Sequence, residues 1–280
     1  MELETLTPIQ KLFFGYLFNH GNKSFDKNNK NNNYDLVGCA QTGSGKTLAY
    51  LIPSVSLLFN DPEGITQIIK SNSLGFVSYP LILIILPTRE LAIQTYKEAL
   101  KLLYKTSINT VVVYGGEKSY TQMHELSNGC DILIGTPGCL IDFLERGYIQ
   151  LSEVKFLIID EADELLDMGF DEDINHILYD FQWQSNCHTF LMSATFPKKV
   201  LNMVDRTMKK DYCYITHGNS LGEKEEANEN IKQRFYFIEC SNFNIIFDKK
   251  IDALFRLLKV LDGKTLFFRK SKKRCKWDCI

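Results

Sequence analysis

Ala40-Gln41-Thr42-Gly43-Ser44-Gly45-Lys46-Thr47 is the stretch on which the reading of this chain turns. A Gly-rich turn leaves backbone N–H groups free to point at anionic oxygens. A lysine at its end can reach the β- and γ-phosphates of a nucleotide, and the hydroxyl after it can sit on Mg²⁺. The pattern is G-x-x-x-x-G-K-T with Ala40 in the first glycine's place, a small residue where a small one is needed. Residues 35–39 read as a short strand leading in, and 46–59 as a helix whose N-terminus faces the phosphates. An ordinary Gly-rich surface turn is the weaker alternative.

Outward from this loop an alternating rhythm is legible. Apolar, β-rich strands are expected at 81–86, 110–114, 131–134, 155–159 and 189–192. Helices are expected at 90–103, 119–127, 139–145, 173–179 and 198–208. Such alternation predicts an α/β fold with a parallel sheet and helices on both faces. Ahead of the loop, Thr7 reads as a helix cap and Pro8 as the first helical residue of a segment reaching to about residue 18. Residues 20–34, rich in Asn, Lys and Gly, read as a disordered surface insertion, and 60–79 as a second irregular stretch.

The bulk composition bounds the partners. A length of 280 residues allows one full α/β domain and a remainder. A net charge of −2 gives no general attraction to nucleic acid or membrane, so a nucleic-acid partner has to be met by a local surface. Eight cysteines are scattered singly; only Cys275 and Cys279 lie close, without a histidine. They read as free thiols of a reducing compartment. No basic segment precedes an apolar stretch at the N-terminus, and the apolar run 81–86 is far too short to span a bilayer, so no membrane partner is expected. Residues 218–230 form a polar linker between a first domain, 1–217, and a second unit, 231–280. The second unit reads as strands at 233–239 and 265–268 around a helix at 249–261, followed by a basic ending.

A phosphate loop needs an acidic partner, and Phe156-Leu157-Ile158-Ile159 runs directly into Asp160-Glu161-Ala162-Asp163. Asp160, at the strand's C-terminal end, is placed to bind Mg²⁺ together with Thr47, directly or through water. Glu161 can accept a proton from a water attacking the γ-phosphate. A solvated acidic face is the bland alternative, but charges abutting a buried strand end sit where open α/β sheets place ligands. A nucleotide kinase would call for an arginine-bearing lid, and none is evident.

With these residues in place the chain resembles the DEAD-box ATP-dependent RNA helicases, over roughly residues 5–240. The resemblance implies RecA-like P-loop domains, ATP and Mg²⁺ as cofactors, and RNA held by its backbone without regard to sequence. Thr7-Pro8-Ile9-Gln10 is similar to the adenine-recognising motif, which makes Gln10 a base-reading residue beside the phosphate-loop residues Gln41 to Thr47. Lys46, Asp160, Glu161 and Asp163 take the family's catalytic places. Ser193-Ala194-Thr195 resembles the coupling motif, so Ser193 and Thr195 are expected to relay nucleotide state through Asp163. Pro87, Thr88 and Arg89, Gly115 and Gly116, and Thr136, Pro137 and Gly138 resemble the RNA-contacting motifs. At 139 the family usually has Arg and this chain has Cys139, which removes up to five donors.

Val112 to Gly116, Glu145-Arg146-Gly147, Asp167 to Phe170 and His188 to Pro197 look most like the subfamily associated with translation initiation. That implies initiation factors as partners and a cytoplasmic, or also nuclear, location. Beyond Phe268 the family pattern disappears, so the second RecA-like domain is expected to be incomplete, a C-terminal truncation. The arginines that would stabilise the transferring phosphoryl, worth about 10³–10⁵ in rate in related hydrolases, belong to the later motifs. The expectation is weak ATP binding and poor hydrolysis by this chain, or a non-catalytic ATP- and RNA-binding fragment.

Overall fold

The strands of a computed structural model are, with one exception, the runs read above, each four to six residues long. The structure describes residues 5–21, 35–59, 77–116, 119–181, 183, 187–216, 236–238 and 246–259. In chain order the elements are α1 (Pro8–Gly21), β1 (Leu36–Cys39), α2 (Lys46–Phe59), β2 (Ile82–Ile85), α3 (Arg89–Leu102), β3 (Thr110–Val113), α4 (Ser119–Ser127) and β4 (Ile132–Gly135). They continue with α5 (Pro137–Glu145), β5 (Phe156–Ile159), α6 (Ala162–Asp167), α7 (Asp171–Tyr179), β6 (His188–Ser193), α8 (Lys198–Thr207), β7 (Cys213–Thr216) and α9 (Ile246–Leu258). The chain divides into two compact units, Met1–Glu225 and Glu226–Ile280.

The first unit is a RecA-like α/β fold. Its seven strands lie in the order β3-β4-β2-β5-β6-β1-β7, every pair parallel. Side chains alternate between the faces of a strand, and each face here has its own apolar layer. Leu36, Ile84, Ile134, Ile158 and Phe190 face α1, α2 and α3; Val37, Ile85, Leu133, Ile159 and Leu191 face α4 to α8. Both faces being covered, the strands are mostly apolar, as parallel sheets favour, with Thr110, Thr189 and Ser193 among the buried exceptions. Polar chemistry is left to the edge where the strands end.

Some expectations needed adjustment. β7 went unread because Cys213–Thr216 is an outer strand with only Ile215 fully buried, too little apolar signal to stand out. The six-residue α6 buries only Ala162 and Leu165, and two positions make no period. The helix expected at 173–179 starts at Asp171, and the one expected at 249–261 spans Ile246–Leu258. Residues 20 and 21 of the expected insertion belong to α1, and 22–34 lie outside the described residues. In the second unit, 236–238 are not in a strand; the expected strand 265–268 and the basic ending lie outside the described residues.

One buried carboxylate ties the β1 side of the sheet together. Asp35 is fully buried just ahead of β1, and its oxygens accept the backbone N–H of Thr189 at 2.9 Å and of Lys209 at 2.8 Å. The Lys209 ammonium lies 3.7 Å away. Removing the carboxylate leaves the buried Thr189 N–H unsatisfied. Asp35→Ala is therefore expected to cost about 3 kcal/mol, read as a lower urea midpoint in equilibrium unfolding.

Candidate functional site

Because all seven strands are parallel, their C-terminal ends share one edge, and the singled-out residues gather there. The phosphate loop leaves β1, tied to β6 by a bond from Ala40 N–H to the Ser193 carbonyl at 3.2 Å. Gly43 and Gly45 have φ of +82° and +91°, left-handed values that glycine adopts without strain. Gly45 is also hemmed in: a Cβ there would stand 2.6 Å from Gln10 Nε2.

Gln10 explains that closeness. Its Nε2 donates to the Gly45 carbonyl at 3.1 Å, while its Oε1 accepts Thr7 N–H at 3.0 Å. This is half of a capping box: Gln10, at the third helical position, caps the backbone of Thr7. The expected cap is thus present through the Thr7 backbone, whose carbonyl accepts Lys11 N–H, and not through its hydroxyl. One N–H and one lone pair of the buried Gln10 amide remain beyond these two bonds.

The acidic cluster meets the loop from β5. Lys46, only 5% exposed, donates to Glu161 Oε2 at 2.9 Å. Asp160 is buried, with Oδ1 accepting the Glu161 N–H at 2.9 Å and Oδ2 accepting the Tyr50 hydroxyl at 3.0 Å. Burial raises the Asp160 pKa to about 6; Lys46 opposes the rise and Glu161 adds to it. Glu161 itself sits at φ 53°, ψ 53°, a left-handed conformation that costs a non-glycine residue about 1–3 kcal/mol. That strain turns the chain so that Asp160 and Glu161 present both carboxylates toward α2. Tyr50 was missed in the sequence; its signal was a polar aromatic one turn after Lys46, on the same helix face.

Thr47 and Asp160 are hard oxygen donors with lone pairs to spare, the kind Mg²⁺ takes one or two of when phosphates supply others. No cluster of three or more His, Cys, Asp or Glu suited to a metal occurs among the described residues. Ser44 Oγ, in the loop, is buried without a hydrogen-bond partner. Together with the positive-φ glycines, these groups fit a nucleotide phosphate chain.

From the end of β6, Asp163 Oδ2 accepts both Thr195 N–H (3.0 Å) and Thr195 Oγ1 (2.7 Å). Ser193 Oγ donates to the Thr195 carbonyl at 2.7 Å and accepts Asp163 N–H at 3.3 Å. The expected coupling pair is therefore a closed hydrogen-bonded loop between two neighbouring strand ends.

The other half of the edge carries the second set of residues. β3, β4 and β2 are adjacent, so Gly115 and Gly116, Thr136 to Gly138, and Pro87 to Arg89 line up as three successive loops. Thr88 caps α3, its hydroxyl accepting Leu91 N–H at 3.3 Å. Arg89 lies over the Tyr114 ring at 4.7 Å, beside Gly116 at φ +85°. Tyr114 is fixed by Gln122, whose amide pairs with both its N–H and its carbonyl. Thr136 precedes α5 without making a side-chain cap, and Gly138 is exposed. Pro87 and Pro137, by contrast, are buried, Pro137 as the first residue of α5. Cys139 is half-buried near Gln122, its thiol pushed up to about 11 by burial and by Asp142, so it offers no charge to this edge.

A family profile described as "DEAD/DEAH box helicase" matches residues 22–204. The chain belongs to this family. Its structure is similar to that of the yeast DEAD-box splicing factor Prp28, at 31% identity and TM-score 0.65, over 79% of this chain and 47% of that one. It is similar to a hypothetical ATP-dependent RNA helicase from Sulfolobus tokodaii (29% identity, TM-score 0.59, 78% of this chain and 54% of that one). A DEAD box protein from the hyperthermophile Methanococcus jannaschii matches at 32% identity and TM-score 0.57, over 90% of this chain and 57% of that one. The chain spans about half the length of the solved structures it matches.

Asp160 also sets a pH dependence. Its pKa in the fold is raised above the ordinary aspartate value, so the folded state binds the proton more tightly than the unfolded one. Its contribution to stability is therefore greatest at acid pH and declines as pH rises through about 6. The difference in unfolding free energy between the native chain and Asp160→Asn should vary with pH between about 4 and 6 and level off above. Urea unfolding of both proteins across that range checks it.

Proposed function

We propose that this chain is the ATP-binding domain of an RNA-dependent ATPase of the helicase type, using Mg²⁺ as the nucleotide's counter-ion. One observation carries the reading: a phosphate loop and acidic pair occupy β1, β5 and β6 of the same sheet edge whose β2, β3 and β4 loops present an arginine, glycines and two helix N-termini. Helix N-termini and backbone amides hold phosphates without reading bases. This is how a chain of net charge −2 could engage RNA. The S. tokodaii structure's description as an RNA helicase supports the same substrate class.

The roles follow from the chemistry. The remaining donor and acceptor of Gln10 match the N7 and N6 edge of adenine. Lys46 neutralises phosphate charge, and Thr47 and Asp160 supply the cation's protein oxygens. Lys46 and Glu161 hold each other at 2.9 Å; a phosphate group competing for the ammonium frees the Glu161 carboxylate to take a proton from water. Asp163, Ser193 and Thr195 join the acidic motif to the end of β6, and shifts at one strand end are felt at the next. The bound cation contributes charge neutralisation at the phosphates.

The finer assignment, to the translation-initiation-associated subfamily, rests on the motif resemblance. With it go initiation factors as partners and the cytoplasm, or also the nucleus, as location. The free cysteines among the described residues are compatible with that, and no described helix is long and apolar enough to cross a membrane. Precipitation of initiation factors with the tagged chain, and imaging of that chain in cells, test this layer.

Phosphate release from ATP, measured with and without single-stranded RNA, tests the central reading. RNA should stimulate turnover. Lys46→Ala should abolish most nucleotide binding, while Glu161→Gln should keep binding within about threefold and lower turnover by about 10²-fold or more. Loss of binding in Glu161→Gln as severe as in Lys46→Ala would overturn the proton-acceptor role. RNA binding that ignores ATP, with no hydrolysis, would favour a binding module. Arg89→Ala should weaken binding of all single-stranded RNAs alike, and its salt dependence should become shallower.

A further inference from the structure

Gln122 is a buried amide to which the proposed roles assign nothing. It lies on α4, 4% exposed, and its side chain closes on the peptide of Tyr114. Its Oε1 accepts the Tyr114 N–H at 2.9 Å, and its Nε2 donates to the Tyr114 carbonyl at 3.1 Å. β3 is an outer strand of the sheet, and Tyr114 follows directly from its last residue, Val113. A primary amide carries a donor and an acceptor side by side. Gln122 therefore gives Tyr114 the pair of bonds that a neighbouring strand would give.

What the amide fixes is the seat of a cation. Arg89 begins α3, and its guanidinium lies 4.7 Å from the centre of the Tyr114 ring. The same guanidinium borders Gly116, where an added Cβ would stand 3.6 Å from Arg89 Nη1. Arg89 is exposed, and no carboxylate among the described residues forms an ion pair with it. A guanidinium stacked on a ring keeps its N–H donors at the rim, where a phosphate can take them. An exposed arginine otherwise samples many rotamers, and holding it in one lowers the entropy cost of binding. The ring can hold Arg89 only if Tyr114 is itself held, and Tyr114 is held through its backbone.

We propose that Gln122 is a positioning residue for RNA binding: by bonding both backbone groups of Tyr114 it fixes the ring that carries Arg89, and so holds the guanidinium ready for a phosphate of single-stranded RNA. This rests on the reading that the β2, β3 and β4 loops face RNA. Gln122 is buried and acts only through Tyr114 and Arg89. Its effect is confined to these loops and leaves the nucleotide site alone. The bonds need an amide: an ionised glutamate would accept the N–H but return no donor, and a methionine would supply no donor and only a weak acceptor.

The test is the fluorescence anisotropy of a labelled single-stranded oligouridine titrated with the full chain. Gln122→Met keeps the side-chain length and removes the paired bonds; it should weaken RNA binding about fivefold, the loss of one surface cation contact. In an Arg89→Ala background the same substitution should change RNA affinity less than about twofold, because the residue it acts through is gone. Tyr114→Leu, which keeps the backbone bonds and removes the ring, should behave in the same way. Binding of a fluorescent ATP analogue without RNA should stay within about twofold in every variant. A second readout needs no RNA. In a chain ¹⁵N-labelled at arginine, the Arg89 Nε–H signal, identified by its loss in Arg89→Ala, should sit upfield over the Tyr114 ring and move downfield in Gln122→Met. The proposal is overturned if Gln122→Met or Tyr114→Leu binds RNA as the native chain does, or if Gln122→Met costs as much affinity without Arg89 as with it. It is equally overturned if the Arg89 signal does not move, or if Gln122→Met loses ATP-analogue binding in the same proportion, which marks general damage. A native chain that binds RNA no better than Arg89→Ala would bring down the underlying reading of this edge.

Discussion

Parallel pairing of every strand is the constraint from which the rest of this structure follows. A parallel sheet needs a crossover after each strand, and the crossovers here cover both faces with helices. Strands so enclosed hold mostly apolar side chains. The phosphate loop and the Asp160–Glu161 pair therefore lie where strands end, and parallel strands all end on the same side. The strand order then divides that edge. β3, β4 and β2 bring the arginine and glycine loops together, while β5, β6 and β1 bring the acidic residues to the phosphate loop.

Concentrating charge at a partly buried edge has an energetic cost, and the site shows how it is met. Lys46 and Asp160 are both almost wholly buried. An unpaired buried ion is strongly destabilising. Lys46 is paired with Glu161, and Asp160 accepts from a phenol and a backbone N–H. The left-handed backbone of Glu161 is the strained element that permits both carboxylates to face α2. Strain of this kind survives only where surrounding structure over-determines it. Here the apolar β5 behind it and the Asp163–Ser193–Thr195 hydrogen bonds beyond it do so.

Much of this was legible before any coordinates. The strands β2, β4 and β5 are uninterrupted apolar runs, and the phosphate loop is a local pattern whose chemistry lies in adjacent residues. The acidic motif is likewise contiguous. What escaped has physical reasons. Cys213–Thr216 is a strand at the sheet's rim, and Ala162–Asp167 is shorter than two helical turns, so neither carries a period. Pro87 and Pro137, singled out for the motifs they sit in, are both buried, a fact the motifs alone do not tell. Tyr50 escaped notice because its partner, Asp160, lies on another element.

The sequence by itself determined the phosphate-binding chemistry, the alternation of strand and helix, and the family, because each of these is written in residues that are neighbours along the chain. Only the tertiary structure decided which strand ends stand side by side. It also showed that Gln10 reaches over to Gly45, that Lys46 is held by Glu161, and that the Tyr50 phenol donates to Asp160. Those relations join residues between 35 and 115 positions apart. Strand order and helix packing set such distances, and no local pattern of side chains encodes them.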